Sequence, residues 1–169
     1  KIQGLIMNKW KTGSLLWVVV MLLFSFKVSV AQQKGSLEVL GSVLFEGKGI
    51  EGAEIKIMKG AEFVDQIVTS SGGKFILNLD LNSQYTLAFV KAGTVSKSVL
   101  VDTKVPAAAV ATLFSFKFKI DLFKKVEGVA DADVLDKPVA KIGYSDLYED
   151  FDYDQKYSAA RKAELEALK

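Results

Sequence analysis

The sequence predicts a mainly β protein, a β-sandwich closed by a short C-terminal α-helix. Three observations predict it. Apolar and polar residues alternate with a period of two from Ser36 to about Val101, the period at which side chains change face along a strand. Glycine-containing turns break that alternation roughly every eight to twelve residues, with no helical periodicity between them. The segment from Gln155 to Lys169 is instead rich in alanine, leucine, lysine and glutamate, the strongest helix formers.

The chain has 169 residues, and its first 31 are predicted to be a targeting segment. Met7-Asn8-Lys9-Trp10-Lys11 supplies a basic start, and an apolar run follows from Leu15 to Phe26. Ser29 and Ala31 then place small residues before a cut between Ala31 and Gln32. That is the layout of a secretory signal peptide, with Met7 read as the start. An uncleaved N-terminal anchor is the competing reading, but a spanning helix needs about 20 apolar residues and Lys27 interrupts this run. The chain is therefore expected to cross the inner membrane, to touch it only through this peptide during export, and to reside in the periplasm or at the outer membrane.

Seven strands are expected in residues 32–123. Leu37, Val39, Gly41, Val43 and Phe45 share one face of the first, and Glu46-Gly47-Lys48-Gly49 makes a turn. Ala53, Ile55 and Ile57 mark the second; Lys59-Gly60 turns the chain into the third, Phe63 to Thr69. Ser70-Ser71-Gly72-Gly73 carries a hairpin signal, since glycine tolerates the positive φ of tight turns. Phe75, Leu77 and Leu79 form the inner face of the fourth strand, Tyr85, Leu87 and Phe89 that of the fifth, and Val95, Val99 and Val101 mark the sixth. The seventh is the most regular: Phe114, Phe116, Phe118, Ile120 and Leu122 oppose Ser115, Lys117, Lys119 and Asp121. Aromatic and branched groups on one face with charges on the other describe a half-buried strand, whose lysines would discourage association at a sheet edge.

Several of these residues fall into a known pattern: Gly41-Ser42-Val43, Gly49-Ile50-Glu51-Gly52-Ala53-Glu54-Ile55, Thr69 to Phe75, Tyr85-Thr86-Leu87 and Gly93. The run resembles the carboxypeptidase regulatory-like domain of Gram-negative envelope proteins, over residues 36–101. The family usually has proline where Gly49 stands and an acidic or amide turn residue where Ser70 and Ser71 stand. The resemblance implies a seven-stranded transthyretin-like (prealbumin-like) Greek-key β-sandwich. It also implies an accessory module without catalytic residues or cofactor, serving folding, docking or glycan contact.

Residues 124–152 are expected to be an acidic linker, with a short added strand at Val139 to Tyr144, and residues 153–169 a helix. In that helix Tyr157, Ala160, Glu164 and Leu168 share a face, as do Arg161 and Leu165. So short a helix is marginal unless it docks. The segment before it interleaves acids with aromatics. Asp150, Asp152 and Asp154 have a spacing that offers oxygen ligands to calcium. A helix-loop-helix calcium loop would next need glycine and glutamate where Gln155 and Arg161 stand, so these aspartates remain a weak candidate and no metal is expected. Asp154 is placed to cap the helix. Tyr148, Phe151, Tyr153 and Tyr157 are candidate anchors for a protein partner, because aromatics are enriched at interface hot spots.

Composition excludes several function classes. The chain has no cysteine and no histidine, hence no disulfide framework, thiol nucleophile, imidazole base or histidine metal ligand. Its net charge of +2 resides in the targeting segment, which holds four lysines and no acid; residues 32–169 carry 18 basic and 20 acidic side chains. A slightly acidic chain without a basic block is a poor nucleic-acid binder. Serines lack a base partner and no phosphate-cradling glycine motif occurs. The expected protein is a non-catalytic envelope module binding a protein partner. A glycan or peptidoglycan module using tyrosine and phenylalanine surfaces is the alternative.

Overall fold

The computed structural model describes residues 34–125 and 137–166. The expected signal peptide with its Ala31–Gln32 cut, and most of the expected acidic linker, lie outside them. Ten strands are present among the described residues: β1 (Ser36–Phe45), β2 (Lys48–Gly49), β3 (Glu54–Lys59), β4 (Glu62–Val68), β5 (Lys74–Asp80), β6 (Gln84–Val90), β7 (Lys97–Asp102), β8 (Leu113–Leu122), β9 (Ala140–Ser145) and β10 (Asp150–Tyr153). Helix α1 (Gln155–Glu166) follows. The protein is mainly β, with two mixed sheets and one short C-terminal helix.

In the first sheet β1 is central. β5 and then β2 pair antiparallel with it, and β8 pairs parallel over its whole length. The second sheet runs β10-β9-β7-β6-β3-β4, antiparallel except for the β7–β9 pair. The two inner faces enclose one core. Leu37, Val39, Leu77 and Ile120 come from the first sheet; Ile55, Leu87, Phe89 and Val101 come from the second. Alternation had assigned all of them inward, because a half-buried sheet leaves only one face dry. Gly41 breaks the apolar series of β1 for a packing reason. A Cβ there would run into the Phe75 ring. Phe75 uses that space to meet Phe89 and Phe118, with ring centroids 5.7 Å away in each case.

Buried threonines fasten the connections. The Thr69 hydroxyl accepts from Ala53 N at 2.9 Å and donates to Ile50 O at 2.7 Å. The fully buried Thr103 hydroxyl accepts from Ser83 N and donates to the Asp80 carbonyl. Each satisfies backbone groups that the sheet ladders leave over.

Four expectations change. The Ser70–Gly73 segment does not close a hairpin. It carries the chain from β4 in one sheet to β5 in the other, through a 3-10 turn with Gly72 and Gly73 at φ +76° and +73°. Gly73 packs on the Val43 carbonyl, which steers the chain towards β1. The turn read at Glu46–Gly49 contains the short strand β2. The strand expected at Val139 to Tyr144 is present as β9, but the expected linker also supplies β10; the two extend the second sheet because Ala140, Lys141 and Ile142 pair with Val99, Leu100 and Val101. Helix α1 buries Arg161 and half-buries Tyr157 and Ser158, while Ala160 and Glu164 of the expected face are exposed.

Candidate functional site

The acidic and aromatic residues singled out in the sequence meet at the β9–β10 corner. Strand β10 pairs antiparallel with β9, setting Phe151 opposite Tyr144 and Asp152 opposite Gly143. Strand geometry then separates the cluster into two faces. Phe151 and Tyr153 point into the sandwich, while Asp150 and Asp152 point out. Phe151 is 5% exposed and packs edge-on against Phe114 of β8, with ring centroids 5.2 Å apart. Tyr153 meets Phe116 in the same manner at 5.2 Å. Two of the four expected docking anchors, the buried Phe151 and the half-buried Tyr153, thus fasten the β9–β10 hairpin to the first sheet. The reason is the period of two: aromatics at alternate positions of a paired strand share the face that leaves water.

Tyr157 is half-buried. Its hydroxyl donates to Pro138 O at 2.8 Å, and the Lys141 ammonium lies 4.2 Å from its ring centroid. Tyr148 alone among the four is largely exposed, at 65%, and Leu147 beside it is 81% exposed. Both sit in the four-residue loop between Ser145 and Asp150, where Glu149 adopts φ +52°. A non-glycine residue in that left-handed region carries backbone strain, so the loop is held in shape by the strands on either side.

The three aspartates do not converge. The Asp150 and Asp152 carboxylates each accept from the following backbone N–H at 2.7 Å. Asp154 accepts from Tyr157 N at 2.9 Å, as the cap of α1. Each carboxylate is thus turned onto its own local backbone N–H and not towards a common point. Among the described residues no three acidic side chains come together as a metal site.

What the corner forms is a shallow depression of about 510 Å³. Gly143 gives it a bare backbone floor, and Ser145, Tyr148, Asp152, Asp154 and Gln155 line it. The surroundings are acidic. Burial, with the nearby charges of Glu149, Asp146 and Asp150, raises the Tyr144 phenol above the usual tyrosine range. Burial, and then Asp152, does the same for Tyr153. An aromatic shelf beside carboxylate, hydroxyl and amide groups can hold hydroxylated or cationic partners and repels anions.

No family model matches the chain, and no curated protein matches it. Among solved structures, the 3-chlorocatechol 1,2-dioxygenase of Rhodococcus opacus 1CP is similar at a TM-score of 0.41 and 10% identity, covering 57% of this chain and 62% of that one. The TIE protein of Bacillus anthracis gives 0.44 and 15%, covering 53% and 18%. The catechol 1,2-dioxygenase of Acinetobacter sp. ADP1 gives 0.44 and 14%, covering 65% and 59%. The chain spans less than two thirds of the length of each of these structures.

Sequence reasoning missed Leu147, Gly143 and Gln155 at the corner. Leu147 had a usable signal. It lies between acids in a segment whose flanking alternation leaves the turn outside the core. Gly143 had none, because its role depends on which residue stands opposite it.

Proposed function

We propose that this protein is a secreted, non-catalytic envelope module of the carboxypeptidase regulatory-like type, with a transthyretin-like Greek-key sandwich as its frame. It acts by binding or bracing a protein partner in the periplasm or at the outer membrane. One observation carries this reading: Leu147 and Tyr148 stand exposed on a loop whose base is fixed in the core by Phe151 and Tyr144. Exposed apolar side chains on a rigid base lose little freedom on binding, and tyrosine is a frequent hot-spot residue. The acidic rim favours a partner surface with basic groups around an apolar centre. The lack of histidine and cysteine supports a binding role over a catalytic one.

Chemical crosslinking in the native envelope tests this reading. A discrete heteromeric band is expected, and it should disappear in Leu147→Asp/Tyr148→Ala. Recovery of monomer alone would sink the proposal. A second reading rests on the depression itself, where the Tyr148 ring, Asp152 and Gln155 surround the Gly143 backbone. That combination suits a neutral glycan. Retention on purified peptidoglycan that depends on Tyr148 would favour it over the protein partner.

A further inference from the structure

A second surface lies on the outer face of the first sheet, and cross-strand register fixes its layout. Leu40 of β1 lies between Ile76 of β5 and Lys117 of β8; Ser42 lies between Lys74 and Lys119. These six residues line a shallow groove of about 370 Å³. Its floor is apolar, with Leu40 half-buried and Ile76 60% exposed. Its rim holds three exposed lysines and no acid. Lys74 and Lys119 are two strand spacings apart, roughly 10 Å between backbones, and Lys117 and Lys119 are about 7 Å apart along β8. Among the described residues none of the three enters an ion pair. Like charges close together on one sheet face are mutually destabilising, so an anion between them relieves a repulsion already built into the fold.

Register also limits the size of that anion. Glu38 stands one row beyond Leu40, and Asp121 one row beyond Lys119. A polyanion laid along the strands would meet a carboxylate at both ends. A compact head group with an apolar body meets neither. We propose that this groove binds an amphiphilic anion, an alkyl or acyl chain ending in a phosphate monoester. The chain lies over Leu40 and Ile76, and the phosphate sits between Lys74 and Lys119 at the Ser42 hydroxyl. Lysine ammonium groups bind phosphate as point charges with strong charge-assisted hydrogen bonds. The surface is independent of the β9–β10 corner, so either assignment can fail without the other.

The test uses the full chain and dodecyl phosphate below its micelle concentration, followed by backbone amide chemical shifts. Saturable changes confined to β1, β5 and β8 are expected, with affinity falling as salt rises. Lys74→Gln/Lys119→Gln should weaken binding about tenfold or more, the worth of even one of the two charged contacts it removes. Ile76→Asp should also weaken it, and Lys56→Gln, exposed on the other sheet, should leave it unchanged. Inorganic phosphate binding as tightly as dodecyl phosphate would remove the apolar half of the proposal. Dodecyl maltoside binding as tightly would remove the ionic half. Binding that is insensitive to salt, or equal in the double variant, overturns the whole.

Discussion

The Thr103 hydroxyl shows how one atom can decide a connection. It is fully buried and serves the backbone of Asp80 and Ser83 where the chain passes from the first sheet to the second. Thr103→Val keeps the volume and removes both bonds, leaving the Ser83 N–H without its acceptor. A loss of about 1–3 kcal/mol is expected, the cost of a buried unsatisfied group, read from urea unfolding as a lower midpoint at unchanged slope. Asp154 works at the surface by the same chemistry. Its carboxylate caps α1 through Tyr157 N, so Asp154→Ala should cost about 1 kcal/mol, and Asp154→Asn should restore most of it. Amide exchange in the first turn of α1 is the direct measure.

At the scale of elements, the β9–β10 hairpin separates two aromatics that sequence alone had grouped. Phe151 joins the Phe114–Tyr144 cluster, whereas Tyr148 faces water. Phe151→Ala should cost about 3 kcal/mol or more through a core cavity, and Tyr148→Ala less than about 0.5 kcal/mol. Similar losses at the two positions, measured by denaturant unfolding, would contradict this division. Strand β8 was legible in the sequence because its signal is local: the nine residues from Phe114 to Leu122 alternate without interruption, and the core face follows directly. Strand β9 was legible as the short added strand at Val139 to Tyr144, whereas β10, in the acidic stretch Asp150–Tyr153, was hidden. Both join the second sheet because β7 offers β9 a parallel partner some forty residues earlier in the chain. Gly49 shows a further tertiary cause. It stands where the resemblance leads one to expect proline, and a Cβ there would strike the Gly72 backbone.

For the whole molecule, acids gather at the β9–β10 corner while three lysines share the outer face of the first sheet. The corner gives the fold a dependence on alkaline pH. Tyr144 and Tyr153 hold their protons more tightly when folded, chiefly because burial disfavours the phenolate. Their contribution to stability is therefore complete below the unfolded tyrosine value of about 10, and is lost as pH rises through that value towards the folded ones. Unfolding midpoints should fall across that range, and Tyr153→Phe should flatten the fall. A steeper decline in that variant would contradict the assignment.

Sequence by itself determined the class of the fold, the faces that β1, β3, β5, β6 and β8 bury, and the cap of the terminal helix. All three rest on interactions between residues near one another in the chain, where a period of two or a capping carboxylate is sufficient. Tertiary structure alone decided which strands become neighbours, that Ser70–Gly73 crosses between sheets, and which aromatic of the acidic cluster stays in water. Those outcomes depend on pairings between distant segments, whose free energy is set by the partner strand rather than by the residues that carry the pattern.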